Sequence, residues 1–235
     1  MSAQVNGRLP RGSLGPEVIL DAAERLVAES GLPEVTIRKV AAVLGVRHPA
    51  VHYHFPRRRD LVDALLSRAV RRFNDALPVI DSDDWEKHLR GYWEAYRSVL
   101  RADPALFELV VGQWATMGRS QRALDSSYER IDAQLNVLLR AGFTPEQAGY
   151  AYHLLSTYTR GCLVSEHQFA RALGPDRDEE MEGSAVSLPG DLEPFPSLRR
   201  VAAHGWSYTF ATDADFGNGL SVIIAGLRSW LPAAS

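Results

Sequence analysis

The chain has 235 residues, of which 46% are hydrophobic and 23% charged, the composition of an ordinary globular protein, which excludes global disorder and leaves ample material for a core. Its length suits a small domain joined to a larger one. The net charge of -3 gives no hint of nucleic acid on its own, and the single cysteine, Cys162, excludes a disulfide framework and fits a reducing cytoplasm. The opening stretch, Met1 to Pro16, lacks the apolar centre of a secretory signal, and no pure apolar run approaches the roughly 18 residues of a membrane span. A cytoplasmic protein with no membrane partner is expected.

Helical periodicity between proline and glycine marks predicts an all-α chain. A first helix starts at Pro16, presents Ile19, Leu20, Ala23, Leu26 and Val27 on one face, and stops at Gly31. Thr36 caps a short second helix running to Leu44, and Gly45 permits the left-handed turn that follows. Pro49 opens a third helix ending near Phe55. A fourth spans about 59–77 with Leu61, Ala64, Leu65 and Val70 inside, and its Arg68, Arg71 and Arg72 read as mostly solvated charge. After the Asp81-Ser82-Asp83-Asp84 turn, helices are expected at about 84–100, 104–116, 120–141, 145–170, 197–204 and 213–230. The best-marked boundary is Thr144-Pro145-Glu146-Gln147, where a capping box precedes the helix. Seven acids against one arginine between Asp176 and Glu193 mark an acidic loop over 174–196.

Charge is unevenly spread along the chain. Residues 1–78 carry a net +4 and the remainder -7, and Thr36 to Arg59 holds six cations and no acid. Such a concentrated basic footprint is what phosphate contact requires. In the same segment Ile37, Val40, Leu44, Val46, Val51 and Phe55 are placed to pack inward, leaving Arg38, His48, Ala50, His52 and His54 outward. That is the division of a helix-turn-helix, whose second helix offers its amino end to base edges in the major groove. His48 and His52, four residues apart, could also share a helix face as metal ligands. With no third ligand nearby, groove contact is the simpler account, and no metal or cofactor is expected.

The run Thr36, Arg38, Lys39, Ala41, Leu44, Gly45, Val46, then Tyr53-His54 and the basic turn Pro56-Arg57-Arg58-Arg59, resembles the DNA-binding domain of the tetracycline-repressor (TetR) family over about residues 15–66. A weaker likeness to that family's tetracycline-repressor branch continues through Leu61 to Leu65, Trp85, Ala141-Gly142-Phe143, Arg160-Gly161-Cys162 and Phe216-Gly217 into Ile223 to Leu227. The resemblance implies a flexible arm over 1–15, a helix-turn-helix domain over 16–66, and a ligand-binding and dimerising domain over 67–235, with 67–78 as the linker part of the fourth helix. It implies DNA contacts from Arg38, Lys39, Arg47, His48, Pro49, Ala50, His52, Tyr53, His54 and Arg58. Because His48, Ala50 and His52 depart from the repressor's own residues, a different operator sequence is implied.

In the helix over 84–100, Leu89, Tyr92, Trp93, Tyr96 and Val99 recur at three- and four-residue steps, an aromatic stripe that suits either a core or a ligand cavity. The resemblance tips it toward a cavity and adds Asn74, Glu108, Gln134, Thr157 and Ser165 as effector contacts beside Tyr92, Trp93 and Tyr96. Glu108 and Ser165 stand where the tetracycline repressor carries a magnesium-binding histidine and an acid. A metal-free, aromatic or polycyclic effector other than magnesium-tetracycline is therefore implied. Leu154, Leu155, Leu220, Ile223, Ile224 and Leu227 exceed what internal packing of two helices needs, which predicts a homodimer interface.

The expected function is a ligand-responsive regulator, a repressor released from double-stranded operator DNA by a small molecule. A ligand-independent DNA-binding regulator is the alternative. A helical enzyme has no zincin motif, phosphate loop or nucleophile-base pair to support it, so no enzymatic activity is expected.

Overall fold

The structure, a computed structural model, describes residues 14–80, 82–112, 121–173, 191–204 and 212–232. Among them are α1 (Pro16–Ser30), α2 (Ile37–Val43), α3 (His48–His54), α4 (Arg58–Ala76), α5 (Trp85–Ala102), α6 (Pro104–Val110), α7 (Gln121–Arg140), α8 (Pro145–Leu173), α9 (Pro196–Ala202) and α10 (Asp213–Arg228), with a 3-10 turn at Leu32–Glu34. The chain is all-α, as its periodicity predicts, and no strand occurs among the described residues. The helix expected over 104–116 ends at Val110, and residues 113–116 lie outside the described residues. Most of the expected acidic loop, 174–190, also lies outside them.

Several helices begin where side chains satisfy the free amides of a first turn. Thr36 Oγ1 accepts from the Lys39 amide at 3.1 Å, and Thr212 Oγ1 from the Asp215 amide at 3.1 Å. At α8 the capping box is complete: Gln147 N donates to Thr144 Oγ1 at 3.2 Å and Thr144 N to Gln147 Oε1 at 2.9 Å. Gly31, the cap of α1, takes φ +81° and ends the helix.

Two compact units emerge, each discontinuous in sequence. The first combines Met1–Val79 with Ser98–Gln134, the second Ile80–Arg97 with Leu135–Ser235. In the first, α1 packs against α2, α4 and α6, while α2 packs on α3 and α4 on α6. Ile19, Leu20, Ala23 and Val27 of α1 and Leu61, Leu65 and Val70 of α4 are buried, whereas Leu26 and Ala64 are half-buried. Each fully buried aliphatic side chain contributes about 1.5–3 kcal/mol of transfer free energy. The fourth-helix arginines differ from expectation. Arg68 is only 17% exposed and pairs with Glu17, Asp21 and Glu24 of α1; Arg72 bridges Glu24 at 2.7 Å and Asp103 at 2.8 Å. Burial pushes the Glu24 carboxyl above its usual range, and the two guanidiniums oppose that shift. Arg71 alone of the three is exposed without a bond among those described.

In the second unit α8 packs on α10. Leu155, Leu220, Ile224 and Leu227 are buried and Leu154 and Ile223 half-buried, so most of the apolar surplus read as interface is consumed within the unit. Trp85 meets Phe143 edge-on at 5.1 Å. At Gly219 of α10 a Cβ would collide with the Tyr158 hydroxyl, itself bonded to the Phe216 carbonyl at 3.0 Å. Gly219→Ala is therefore expected to cost about 1–3 kcal/mol through overpacking, read as a lowered urea midpoint. An unchanged midpoint would mean that Tyr158 gives way freely.

Candidate nucleic-acid interface

The turn between α2 and α3 is built on Gly45, whose φ of +63° is reached at little cost only without a Cβ. The turn is closed by Gly45 N to Ala42 O at 3.1 Å and Val46 N to Ala41 O at 3.0 Å. Ile37, Val40, Leu44, Val51 and Phe55 are buried and Val46 half-buried, anchoring the pair from beneath. Above them Arg38, Lys39, Arg47, His48, Pro49, His52, Tyr53 and Arg58 are exposed, Tyr53 to 83%. Ala50 and His54 are half-buried rather than fully outward. The His48 and His52 rings lie 5.6 Å apart, and Tyr53 meets His54 edge-on at 5.2 Å. The face thus offers guanidinium, ammonium and imidazole donors with no carboxylate between Thr36 and Arg59, a set suited to phosphate oxygens and purine edges.

Two of these cations already have partners. Lys39 pairs with exposed Glu34, holding that carboxyl below its usual range through the hydrogen bond and charge of the ammonium. Arg58 donates from Nε to the Val35 carbonyl at 2.7 Å and from Nη2 to the Leu32 carbonyl at 2.9 Å, pinning the start of α4 to the segment before α2. Nothing in the local sequence signals that clamp, because its acceptors are main-chain atoms 23 and 26 residues away.

The residues expected to contact an effector fall into separate settings. In the second unit Tyr92, Trp93 and Tyr96 are buried together: Trp93 lies 5.0 Å from Tyr92 and 5.3 Å from Tyr96, and Tyr152 of α8 joins at 5.5 Å from Trp93. Thr157 and Ser165 of the same unit are exposed on α8 and do not join that cluster. Asn74, Glu108 and Gln134 belong to the first unit. There the Asn74 carbonyl accepts from Arg130, Glu108 is half-buried and Gln134 buried. Tyr152 went unremarked in the sequence and Arg160 entered only within the Arg160-Gly161-Cys162 likeness, although their eight-residue spacing on α8 puts both on one helix face.

A family model described as "Bacterial regulatory proteins, tetR family" matches residues 19–65, and one described as "Tetracyclin repressor-like, C-terminal domain" matches 77–231. The chain belongs to the TetR family. Among TetR relatives, the class C tetracycline repressor protein of Escherichia coli is 31% identical over 90% of each chain. The TetR family protein ActR of Streptomyces coelicolor, solved in complex with actinorhodin, shares 22% identity at a TM-score of 0.66, covering 95% of this chain and 100% of that one. A single-residue variant of TetR from Acinetobacter baumannii AYE, solved in complex with minocycline, shares 23% at a TM-score of 0.57, covering 94% and 97%. At those identities the two structures establish the shared fold. The chain is accordingly a DNA-binding transcriptional regulator of the TetR family, and no helix among the described residues is long and apolar enough to cross a membrane.

Proposed function

We propose that the chain is a cytoplasmic homodimeric repressor that holds double-stranded operator DNA through α2 and α3 and leaves it when a small aromatic or polycyclic effector binds the carboxy-terminal unit. The observation that carries the DNA half is the outward face from Arg38 to Tyr53, cationic and acid-free, over the buried Val51. Arg38, Pro49, Ala50 and the histidines address base edges; Lys39, Arg47, Tyr53 and Arg58 address phosphates. Support for the effector half comes from the buried aromatic set around Trp93 and from the relatives' complexes with minocycline and actinorhodin. Support for pairing comes from apolar side chains left outward on α8 and α10, Tyr150, Val164 and Val222, the last 73% exposed. No catalytic or metal-bound step is part of this role.

The effector acts by binding better to a form whose two recognition helices no longer match successive major grooves, about 34–36 Å apart. DNA and effector then oppose each other reciprocally. Mobility shift on the intergenic DNA upstream of the chain's own gene, with and without candidate compounds, tests the proposal. Magnesium-tetracycline is expected to leave the complex intact, and release by it would overturn the metal-free assignment.

Arg38→Ala is expected to weaken specific operator binding by about 1–3 kcal/mol while leaving random-sequence DNA nearly unaffected, since one bidentate base contact is worth that much. Equal losses on both DNAs would remove Arg38 from base recognition.

A further inference from the structure

Three consecutive arginines, Arg57, Arg58 and Arg59, stand at the start of α4, and the middle one is used differently from its neighbour. Arg59 lies along α4 toward Asp63 at 3.9 Å, with 79% of its side chain exposed. Arg58 instead turns back onto the chain, with Nε donating to the Val35 carbonyl at 2.7 Å and Nη2 to the Leu32 carbonyl at 2.9 Å. Both acceptors belong to buried residues, Leu32 at 4% and Val35 at 0% exposure. The Leu32 carbonyl also closes the 3-10 turn, accepting from the Val35 amide at 3.1 Å. Val35 in turn precedes Thr36, the cap whose Oγ1 accepts from the Lys39 amide. One guanidinium thus grips both ends of the piece, 32–35, that leads into α2.

What this grip fixes is the start of a helix too short to fix itself. α2 has seven residues, a length that does not persist in water on its own propensity, so its direction comes from its packing and from its entry. Ile37, Val40 and Ala41 are buried on its inner side and set its depth; the fork sets its entry. Two bonds from one rigid plane define orientation as well as distance, whereas an ammonium holds a single point about which the chain can turn. Arg38, three residues after Val35, is exposed on the outer side. Hydrogen bonds to a base edge weaken steeply with misalignment, so an arginine that reads a base depends on where its helix begins.

We infer that Arg58 is a positioning residue for base recognition: its fork on Leu32 and Val35 sets the entry of α2 and thereby aims Arg38. The inference rests on the base-reading role proposed for Arg38 and goes beyond the phosphate contact given to Arg58 above, for which Nη1 remains.

Arg58→Lys separates the two roles, because it keeps the positive charge and loses the fork. Binding of the full chain to the upstream intergenic DNA and to random-sequence DNA is measured across a salt series, with each affinity expressed per folded protein from far-UV circular dichroism. Arg58→Lys is expected to weaken operator binding about tenfold, the worth of a well-made charged hydrogen bond. Random-sequence affinity and the salt slope are expected to stay at their wild-type values, since no phosphate charge is lost. In an Arg38→Ala background the same change is expected to cost less than about twofold, because the side chain it aims is gone. Wild-type operator affinity in Arg58→Lys would show that charge suffices and would overturn the inference. Equal losses on both DNAs, or a loss that persists undiminished in Arg38→Ala, would overturn it too. Selective operator loss in Arg38→Ala beside wild-type behaviour of Arg58→Lys sinks the fork alone and leaves the reading of Arg38 standing; equal losses on both DNAs in Arg38→Ala sink that reading and the inference with it.

Discussion

Replacing Arg97 by alanine is expected to lower the unfolding free energy by about 3–5 kcal/mol, the cost of stranding a buried charge. Arg97 sits on α5 with 6% of its side chain exposed, donating from Nε to Glu166 at 2.8 Å and from Nη1 to Asp213 at 2.7 Å. Its guanidinium also lies 4.8 Å over the Phe216 ring. Alanine leaves the Glu166 carboxylate, only 10% exposed, without the cation that offsets its desolvation. Asp213 is 81% exposed and regains water, so little of the loss comes from it. Urea unfolding followed by tryptophan fluorescence measures the effect. The paired replacement Arg97→Met with Glu166→Leu is expected to recover most of the loss, because both charges then leave the interior together. A loss below about 1 kcal/mol for Arg97→Ala would show that Glu166 keeps enough other partners or water to hold its charge.

Val51→Asp is expected to abolish operator binding and to cost about 3–5 kcal/mol in the first unit, since it buries a carboxylate without a partner. Val51 is 0% exposed and is the pivot between α3 and the apolar side of α2, with Val40 and Leu44 also buried beneath the turn. The recognition helix has only seven residues, too few to persist in water without that packing. The same charge placed at Val79, 91% exposed, is expected to change neither stability nor binding. Mobility shift together with a urea titration separates the two variants, and wild-type operator affinity in Val51→Asp would refute the helix-turn-helix as the gripping element.

The features that proved legible in the sequence were local. Thr36 and the Thr144-Gln147 box mark helix starts because a cap joins residues only three apart, and Gly31 and Gly45 mark ends because a positive φ is written in the residue itself. Helical period places His48 and His52 on the outward face of α3, whereas Ala50 and His54, read the same way, are half-buried. What escaped was set by distant partners. Arg68 resembled a solvated charge until α1 brought Glu17, Asp21 and Glu24 to it from 44 to 51 residues away. Arg97 is linked across 69 and 116 residues and was passed over in the sequence, although it stands four after Trp93 on the inward side of α5. The apolar surplus of α10 could be read as interface or core, and only the packing of α8 assigns Leu220, Ile224 and Leu227 to the core. Within the aromatic cluster, Tyr92, Trp93 and Tyr96 were found by periodicity, whereas Tyr152 joins them from a second helix.

The packing of α6 against α1 and α4, reinforced by the Arg72 bridge from Glu24 to Asp103, has a consequence for anyone who wishes to recombine this protein. A DNA-reading module cut after Val79 would carry α1 and α4 away with the sides that α6 covers laid bare. Leu106, Phe107, Leu109 and Val110, all buried, would be left behind on the donor piece. Chimeras that exchange operator preference between relatives should therefore graft the exposed residues of α2 and α3 onto the intact chain, or transplant α6 together with the head. The gripping part travels as a surface more readily than as a segment.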